Sequence, residues 1–181
     1  MEKRPVVAIV GPTGVGKTEL SLKIAGQLNS EIVSVDSRQI YKGMDIGTAK
    51  PTNIELDKVP HHLIDVVEAT EGFSLATYLE ISRVVIKDIQ NNGKLAILVG
   101  GSGQYMWALL EGWITPAVVP NIKYREELIS IARSEGVQAL HSRLAKVDPK
   151  AALSIDPRNE RRLVRAMEVF HETGVQWSKQ S

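Results

Sequence analysis

The chain has 181 residues, 43% of them hydrophobic and 24% charged, with a formal net charge of +1. That is enough for one sizeable core plus a small accessory lobe. The absence of cysteine excludes a disulfide framework and a thiolate zinc site, and His61, His62, His141 and His171 lack the paired spacing of a histidine metal site. Any metal is therefore expected to be a hard, oxygen-bound cation. The apolar run Val6 to Val10 is too short for a secretory signal, and no stretch approaches the roughly 18 apolar residues of a membrane span, so a cytoplasmic protein without membrane contact is expected.

Taken in chain order, Val6 to Val10 reads as a strand ending in Gly11, followed by a helix whose apolar positions Leu20, Ile24 and Leu28 repeat at helical spacing. Glu31 to Val35 reads as a second strand, Leu63 to Val67 as a third and Lys94 to Val99 as a buried fourth bounded by glycines. Ser74 caps a long helix running to about Asn92, where Asn91-Asn92-Gly93 gives a stop signal. Strands alternating with helices imply a parallel sheet flanked by helices, an α/β fold. After Gly112 the pattern changes: Pro116 and Pro120 break the chain, and helices follow without strands. The expected division is a core at 1–115 and a helical accessory lobe at 116–181.

In that lobe Asn121 starts a helix that ends at Gly136. Others are expected over about 137–147 and 156–173, the last with Pro157 in its first turn and Gly174 after it. Residues 1–120 carry 11 Lys/Arg against 13 Asp/Glu and residues 121–181 carry 11 against 8, or −2 and +3. The mildly basic lobe suits an anionic partner.

Gly11-Pro12-Thr13-Gly14-Val15-Gly16-Lys17-Thr18 fits the P-loop pattern G-x-x-x-x-G-K-T and lies between a strand and a helix, as that motif requires. Glycines let backbone N–H groups converge on phosphate oxygens, the helix N-terminus adds partial positive charge, Lys17 adds a full one, and the Thr18 hydroxyl can ligate Mg2+. The loop alone leaves open whether the phosphates belong to ATP, another nucleotide or a different diphosphate. Nucleotide hydrolases of this class usually end a second apolar strand in a carboxylate. Here Leu95 to Val99 runs into Gly100-Gly101-Ser102-Gly103 instead, and the acidic residue appears at Asp36, beside the P-loop at the carboxyl edge of the sheet. Asp36 is a candidate indirect Mg2+ ligand or general base, or else a turn-forming residue. Ser102 is a candidate hydrogen-bond donor to leaving phosphate or substrate, or the N-cap of a helix beginning near Gln104.

Arg158, Arg161, Arg162 and Arg165 fall at offsets that line one face of the last helix. That face suits a nucleic-acid backbone, or is a solvated surface paired with Glu160 and Glu168. Trp107, Trp113, Tyr105 and Tyr124 are expected to pack in the core or lobe.

The ordered set GPTGVGKT at Gly11, VDSRQIYKGMDIGTAKP from Val35 to Pro51, HHLID from His61 to Asp65, GGSGQY from Gly100 to Tyr105 and DPRNERRLVRAMEV from Asp156 to Val169 resembles the tRNA dimethylallyltransferase (isopentenyltransferase) family. The resemblance spans nearly the whole chain. It implies a P-loop NTPase-like core with a helical tRNA-binding insertion, acting with Mg2+. The implied reaction is transfer of a dimethylallyl group from its diphosphate to the N6 amine of the adenosine beside the anticodon. Thr13 to Thr18 would line the diphosphate site, with Lys17 and Thr18 stabilising the leaving group. Asp36 would take the amine proton, and Asp36, Ser37, Arg38 and Gln39 would meet the target nucleotide in the tRNA anticodon stem-loop. Ser102 stands where the family more often has Thr and keeps the hydroxyl. Arg125 and the run Arg161, Arg162, Leu163, Val164 and Arg165 match tRNA-contacting positions. Family members continue beyond this point and supply a further arginine near the reacting phosphates. The chain is therefore expected to be a piece of a longer enzyme, and a monomer. The alternatives are a P-loop kinase using ATP on a small acceptor, a prenyltransferase acting on free adenine nucleotides, and a nucleotide-dependent switch.

Overall fold

A computed structural model of the protein describes residues 5–113 and 118–179. The basic start at residues 1–4, the break at Pro116 and the boundary expected near residue 115 lie outside these. Two compact units are present, Met1–Trp113 and Ile114–Ser181.

In the first unit, β1 (Val6–Val10), β2 (Ser30–Ser34), β3 (His61–His62) and β4 (Leu95–Gly100) form a parallel sheet in the order β1-β4-β2-β3. The helices are α1 (Lys17–Gln27), α2 (Asn53–Leu56), α3 (Leu75–Asn91) and α4 (Gly103–Leu110). β4 is a continuous apolar run because both of its faces are covered. Ala96 and Leu98, with Val33 of β2, pack against Tyr78, Leu79 and Ile89 of α3 and Met106 and Ala108 of α4. Ile97, with Ile9 and Ile32, packs on the opposite face against Ala25 of α1 and Val59. This is the helix-flanked parallel α/β sheet of a P-loop-like fold.

Several elements differ in detail from the sequence expectation. The face of α1 that meets the sheet is built on the small residues Ser21 and Ala25, while Leu20 and Leu28 are 49% and 45% exposed. Of the expected apolar stripe Ile24 does pack against this core, with Leu22 beside it, but the closest approach to the sheet falls where the helix residues are small. The third strand is His61–His62 rather than Leu63 to Val67: Leu63 and Asp65 adopt left-handed backbones (φ 62° and 55°), which end the ladder, and Val67 makes only a single bridge to Tyr41. Trp107 and Trp113 are 58% and 40% exposed, not core residues. The short helix α2 was not anticipated, although Thr52 and Glu55 form a reciprocal capping box at its start.

The second unit contains α5 (Ile122–Glu135), α6 (Val137–Val147), α7 (Pro149–Ser154) and α8 (Glu160–Thr173), followed by a 3-10 turn at Trp177–Lys179. Leu128, Leu140, Leu144, Leu163, Val164 and Met167 form its core. α8 begins later than expected, because Asp156 Oδ1 accepts from the backbone N–H of Arg158 at 2.9 Å and Asn159 caps Arg162 N–H at 3.1 Å. Pro157 and Arg158 thus precede the helix. Among the described residues, no helix is long and apolar enough to cross a membrane.

Candidate active site

The loop between β1 and α1 owes its shape to glycine. Gly16, at φ 86°, sits at the N-cap of α1 in a left-handed backbone that a side chain would strain, and Lys17 and Thr18 open the helix. The first N–H groups of α1 have no helical partners, so this turn is an anion cradle. Lys17 Nζ donates to the carbonyls of Gly11 at 2.9 Å and Pro12 at 2.8 Å, which holds the ammonium across the loop.

The loop opens onto a cleft of about 480 Å3 whose walls include Thr13, Gly14, Gly16, Lys17 and Thr18 on one side and Asp36, Arg38 and Gln39 on another. The two sides come from non-adjacent strands. β4 lies between β1 and β2, so Asp36 is one strand further from the P-loop than the sequence suggested. The carboxylate reaches the same cleft because all strands are parallel and deliver their C-terminal loops to one edge. Asp36 Oδ1 accepts from Arg38 N–H at 2.8 Å and Gln39 N–H at 3.4 Å. One oxygen thus fixes the turn, and Oδ2 has no hydrogen bond among the described residues.

The gap between these two loops is closed at β4's end. A Cβ on Gly100 would lie 1.9 Å from the carbonyl oxygen of Val35, so only glycine permits this approach of β4 to β2. Just beyond, Ser102 occupies the N-cap of α4 but does not cap it with its hydroxyl. Its Oγ instead accepts from Ser37 N–H at 2.9 Å and lies 3.2 Å from Ser37 Oγ, and neither serine lines the cleft. In this geometry both serines tie the loop after β4 to the loop after β2.

Gln39 is also engaged. Its amide nitrogen donates to the carbonyls of Thr48 at 3.1 Å and Ala49 at 2.9 Å, and its Oε1 accepts from Ser34 Oγ at 2.9 Å. Both amide protons are thereby used inside the protein, and Gln39 clamps the turn. Behind that turn Lys50, with 7% of its side chain exposed, contacts Asp45 and Asp65, each at 2.6 Å. Neither Lys50 nor the Thr48–Ala49 turn was singled out from sequence; nothing in spacing alone shows which lysine a loop will bury.

His61 lines the same cleft. Its Nδ1 lies 2.7 Å from the Val59 carbonyl, and its buried Nε2 has no partner among the described residues. Burial pushes its pKa down, so near neutrality the ring is uncharged, donates through Nδ1 and presents Nε2 as an acceptor.

In the second unit the arginine positions divide. Leu163 is fully buried and Val164 is 7% exposed, so within the run from Arg161 to Arg165 these two side chains belong to the lobe's core. Glu168 is also fully buried. Arg125 grips both of its oxygens, donating from Nε to Oε1 at 2.7 Å and from Nη2 to Oε2 at 2.8 Å, Arg165 also pairs with Oε2, and Asn121 N–H donates to Oε1 at 2.8 Å. Burial alone would raise the Glu168 pKa, but these contacts outweigh it and hold the carboxyl below its usual value. Arg125 and Arg165 therefore have a structural task, since removing either would leave a buried charge poorly paired. Arg161 and Arg162 are exposed and make no ion pair among the described residues.

The family model for IPP transferase matches residues 39–181. The chain belongs to this family. It is 55% identical over 176 residues to the tRNA dimethylallyltransferase of Roseiflexus sp. (strain RS-1), covering 97% of this chain and 58% of that protein. It is 48% identical over 177 residues to the tRNA dimethylallyltransferase of Bacillus subtilis (strain 168), covering 98% of this chain and 56% of that protein. The crystal structure of the full-length tRNA isopentenylpyrophosphate transferase from Bacillus halodurans matches with a TM-score of 0.62 at 48% identity, covering 95% of this chain and 57% of that one. A eukaryotic dimethylallyltransferase acting on tRNA matches with a TM-score of 0.81 at 30% identity, covering 96% and 43%. This IPP transferase-family chain thus spans little more than half the length of the curated relatives it matches.

Proposed function

We propose that the protein transfers a dimethylallyl group from dimethylallyl diphosphate to the N6 amine of the adenosine beside the anticodon in tRNA, releasing pyrophosphate. The observation that carries this reading is that one cleft is lined both by the P-loop residues and by Asp36, with no carboxylate ending β4. The names of the family's relatives support the same chemistry. The kinase alternative lacks such support: its usual second-strand carboxylate is replaced by Gly100.

Breaking the allylic carbon–oxygen bond puts negative charge on the departing diphosphate. The N–H groups opening α1 and the Lys17 ammonium act where that charge grows, which favours the transition state over the ground state. The adenine amine is a weak nucleophile, so holding it against the allylic carbon matters more than its intrinsic reactivity. Asp36 Oδ2 accepts the proton that the amine sheds as the new carbon–nitrogen bond forms. The target base leaves its stack to reach the cleft.

Mg2+ fits this donor chemistry. The described residues contain no cluster of three acidic or histidine ligands, whereas Mg2+ commonly binds through one or two protein oxygens and substrate phosphates. The Thr18 hydroxyl would provide a protein oxygen, and the bound ion would neutralise diphosphate charge. A cytoplasmic, monomeric enzyme completes the proposal.

The deciding experiment incubates the full gene product with dimethylallyl diphosphate or ATP, and with tRNA, AMP or no acceptor, and reads product masses. Prenylated tRNA is expected. ADP without prenyl transfer would overturn the assignment, and prenylated AMP without prenylated tRNA would redirect it to free nucleotides.

RNA binding supplies a second expectation. Replacing the exposed pair Arg161 and Arg162 with alanine should weaken binding of an anticodon stem-loop and reduce the slope of log affinity against log salt by about 1 per lost phosphate contact. Arg165 is left intact in this variant to keep Glu168 paired. An unchanged slope would return this face of α8 to ordinary solvated surface.

A further inference from the structure

Among the described residues Lys50 is the most heavily committed lysine of the first unit. Its ammonium contacts the Tyr41 carbonyl at 3.1 Å and the carboxylates of Asp45 and Asp65 at 2.6 Å each. All three of its protons have acceptors, which is the condition for holding a lysine 7% exposed without an uncompensated charge. Burial alone would lower its pKa, but the two carboxylates outweigh that and raise it.

The acceptors come from opposite sides of one small structure. Residues 39–42 and 65–67 lie alongside each other, with Asp65 N–H donating to the Gln39 carbonyl at 3.0 Å, Val66 N–H to Ile40 at 2.8 Å and Lys42 N–H to Val67 at 2.8 Å. Lys50 crosses that pairing from Tyr41 to Asp65 and also holds Asp45, at the far side of the loop. Ala49 and Asp65 adopt left-handed backbones at φ 50° and 55°. Such strain persists in residues with side chains only where the surroundings over-determine it. Ala49 is clamped between its covalent neighbour Lys50 and the Gln39 amide at 2.9 Å.

The consequence lies in the cleft, since Gly47, Thr48 and Ala49 line its wall together with Asp36 and Gln39. Gln39 links the two sides: its side chain holds the Thr48–Ala49 turn, while its backbone N–H donates to Asp36 Oδ1. We propose that Lys50 is a positioning residue for the transfer reaction, its buried ammonium locking the Thr48–Ala49 turn onto Gln39 and so fixing the Asp36 turn relative to the acceptor base. The inference rests on the proposed function. The P-loop lies across the sheet, fixed by β1 and α1, so loss of Lys50 should leave diphosphate binding alone.

The test measures single-turnover dimethylallyl transfer to an anticodon stem-loop at saturating substrates, and separately the affinity for inorganic pyrophosphate, in the full gene product. Lys50→Met should slow transfer about 100-fold, the cost of a misplacement on the order of 1 Å, with pyrophosphate affinity changed by no more than about twofold. A second variant, Asp45→Asn with Asp65→Asn, removes the charge partners from the exposed side and leaves the lysine in place. It should slow transfer in the same way, and adding Lys50→Met to it should cost much less than in the unsubstituted protein, because the three groups act as a unit. Transfer by Lys50→Met within about threefold of the unsubstituted rate overturns the assignment, as does an equal fall in rate and pyrophosphate affinity, which marks general unfolding. If the unsubstituted protein makes no prenylated RNA, the proposed function falls first and this role with it.

Discussion

Asp36→Asn is expected to lower the rate of dimethylallyl transfer by about 100- to 10,000-fold, the range over which a positioned general base acts. The substitution is chosen because the Asp36 carboxylate has two tasks on two oxygens. Oδ1 accepts from Arg38 and Gln39 N–H, and an asparagine oxygen can take over that role. In the proposed reaction Oδ2 is the proton acceptor, and an amide in its place cannot accept the proton that leaves the amine. Pyrophosphate affinity should stay nearly unchanged, because the anion cradle belongs to the β1–α1 loop on a non-adjacent strand. Single-turnover kinetics and calorimetry separate the two quantities. Equal loss of both would remove the general-base assignment and leave Asp36 as a turn former. Asp36→Ala should show a larger fall in stability than Asp36→Asn, since it also gives up the turn.

Gly100→Ala should lower the stability of the first unit by about 3 kcal/mol or more, measured by denaturant unfolding, at or beyond the upper end for overpacked sites. The added Cβ would meet Val35 oxygen at 1.9 Å and Val35 Cα at 2.8 Å. These are backbone atoms that no rotamer change can move. Relief requires β4 and β2 to separate where Val35 N–H donates to Val99 at 2.7 Å and Ser102 N–H to Val35 at 3.2 Å. The same displacement would move Asp36 and Ser37, so transfer activity should fall even in protein that remains folded. Gly101→Ala, where no atom lies within 4 Å of the added Cβ, is the matched control and should be close to neutral. Equal stability of the two variants would refute the close-approach account.

These expectations divide according to how far the information sits along the chain. The P-loop was legible because its demands are local: Gly16 must turn left-handed, Lys17 and Thr18 must follow it, and a strand and helix must flank it within a few residues. Helix caps at Ser74 and Asn121 were legible for the same reason, each closing a hydrogen bond three residues on. Asp36 was found as a carboxylate at a strand's end, but its distance from the P-loop was not, since strand order depends on which strands pair across the sheet. The arginine run of α8 shows the limit most clearly. Helical spacing placed Arg161, Arg162 and Arg165 together, but the burial of Glu168 beside Arg125, 43 residues away, decided that Arg165 is committed to the lobe.

The sequence by itself determined the glycine-rich loop between a strand and a helix, the parallel α/β character and the carboxylate at a strand's end, because each follows from residue type and short spacing. Tertiary structure alone decided that Gly100 must be glycine, that Gln39 clamps a turn and that Lys50 is buried beneath it. Those facts arise from contacts between segments that lie apart in the chain, where burial and competition for hydrogen-bond partners give a side chain its role.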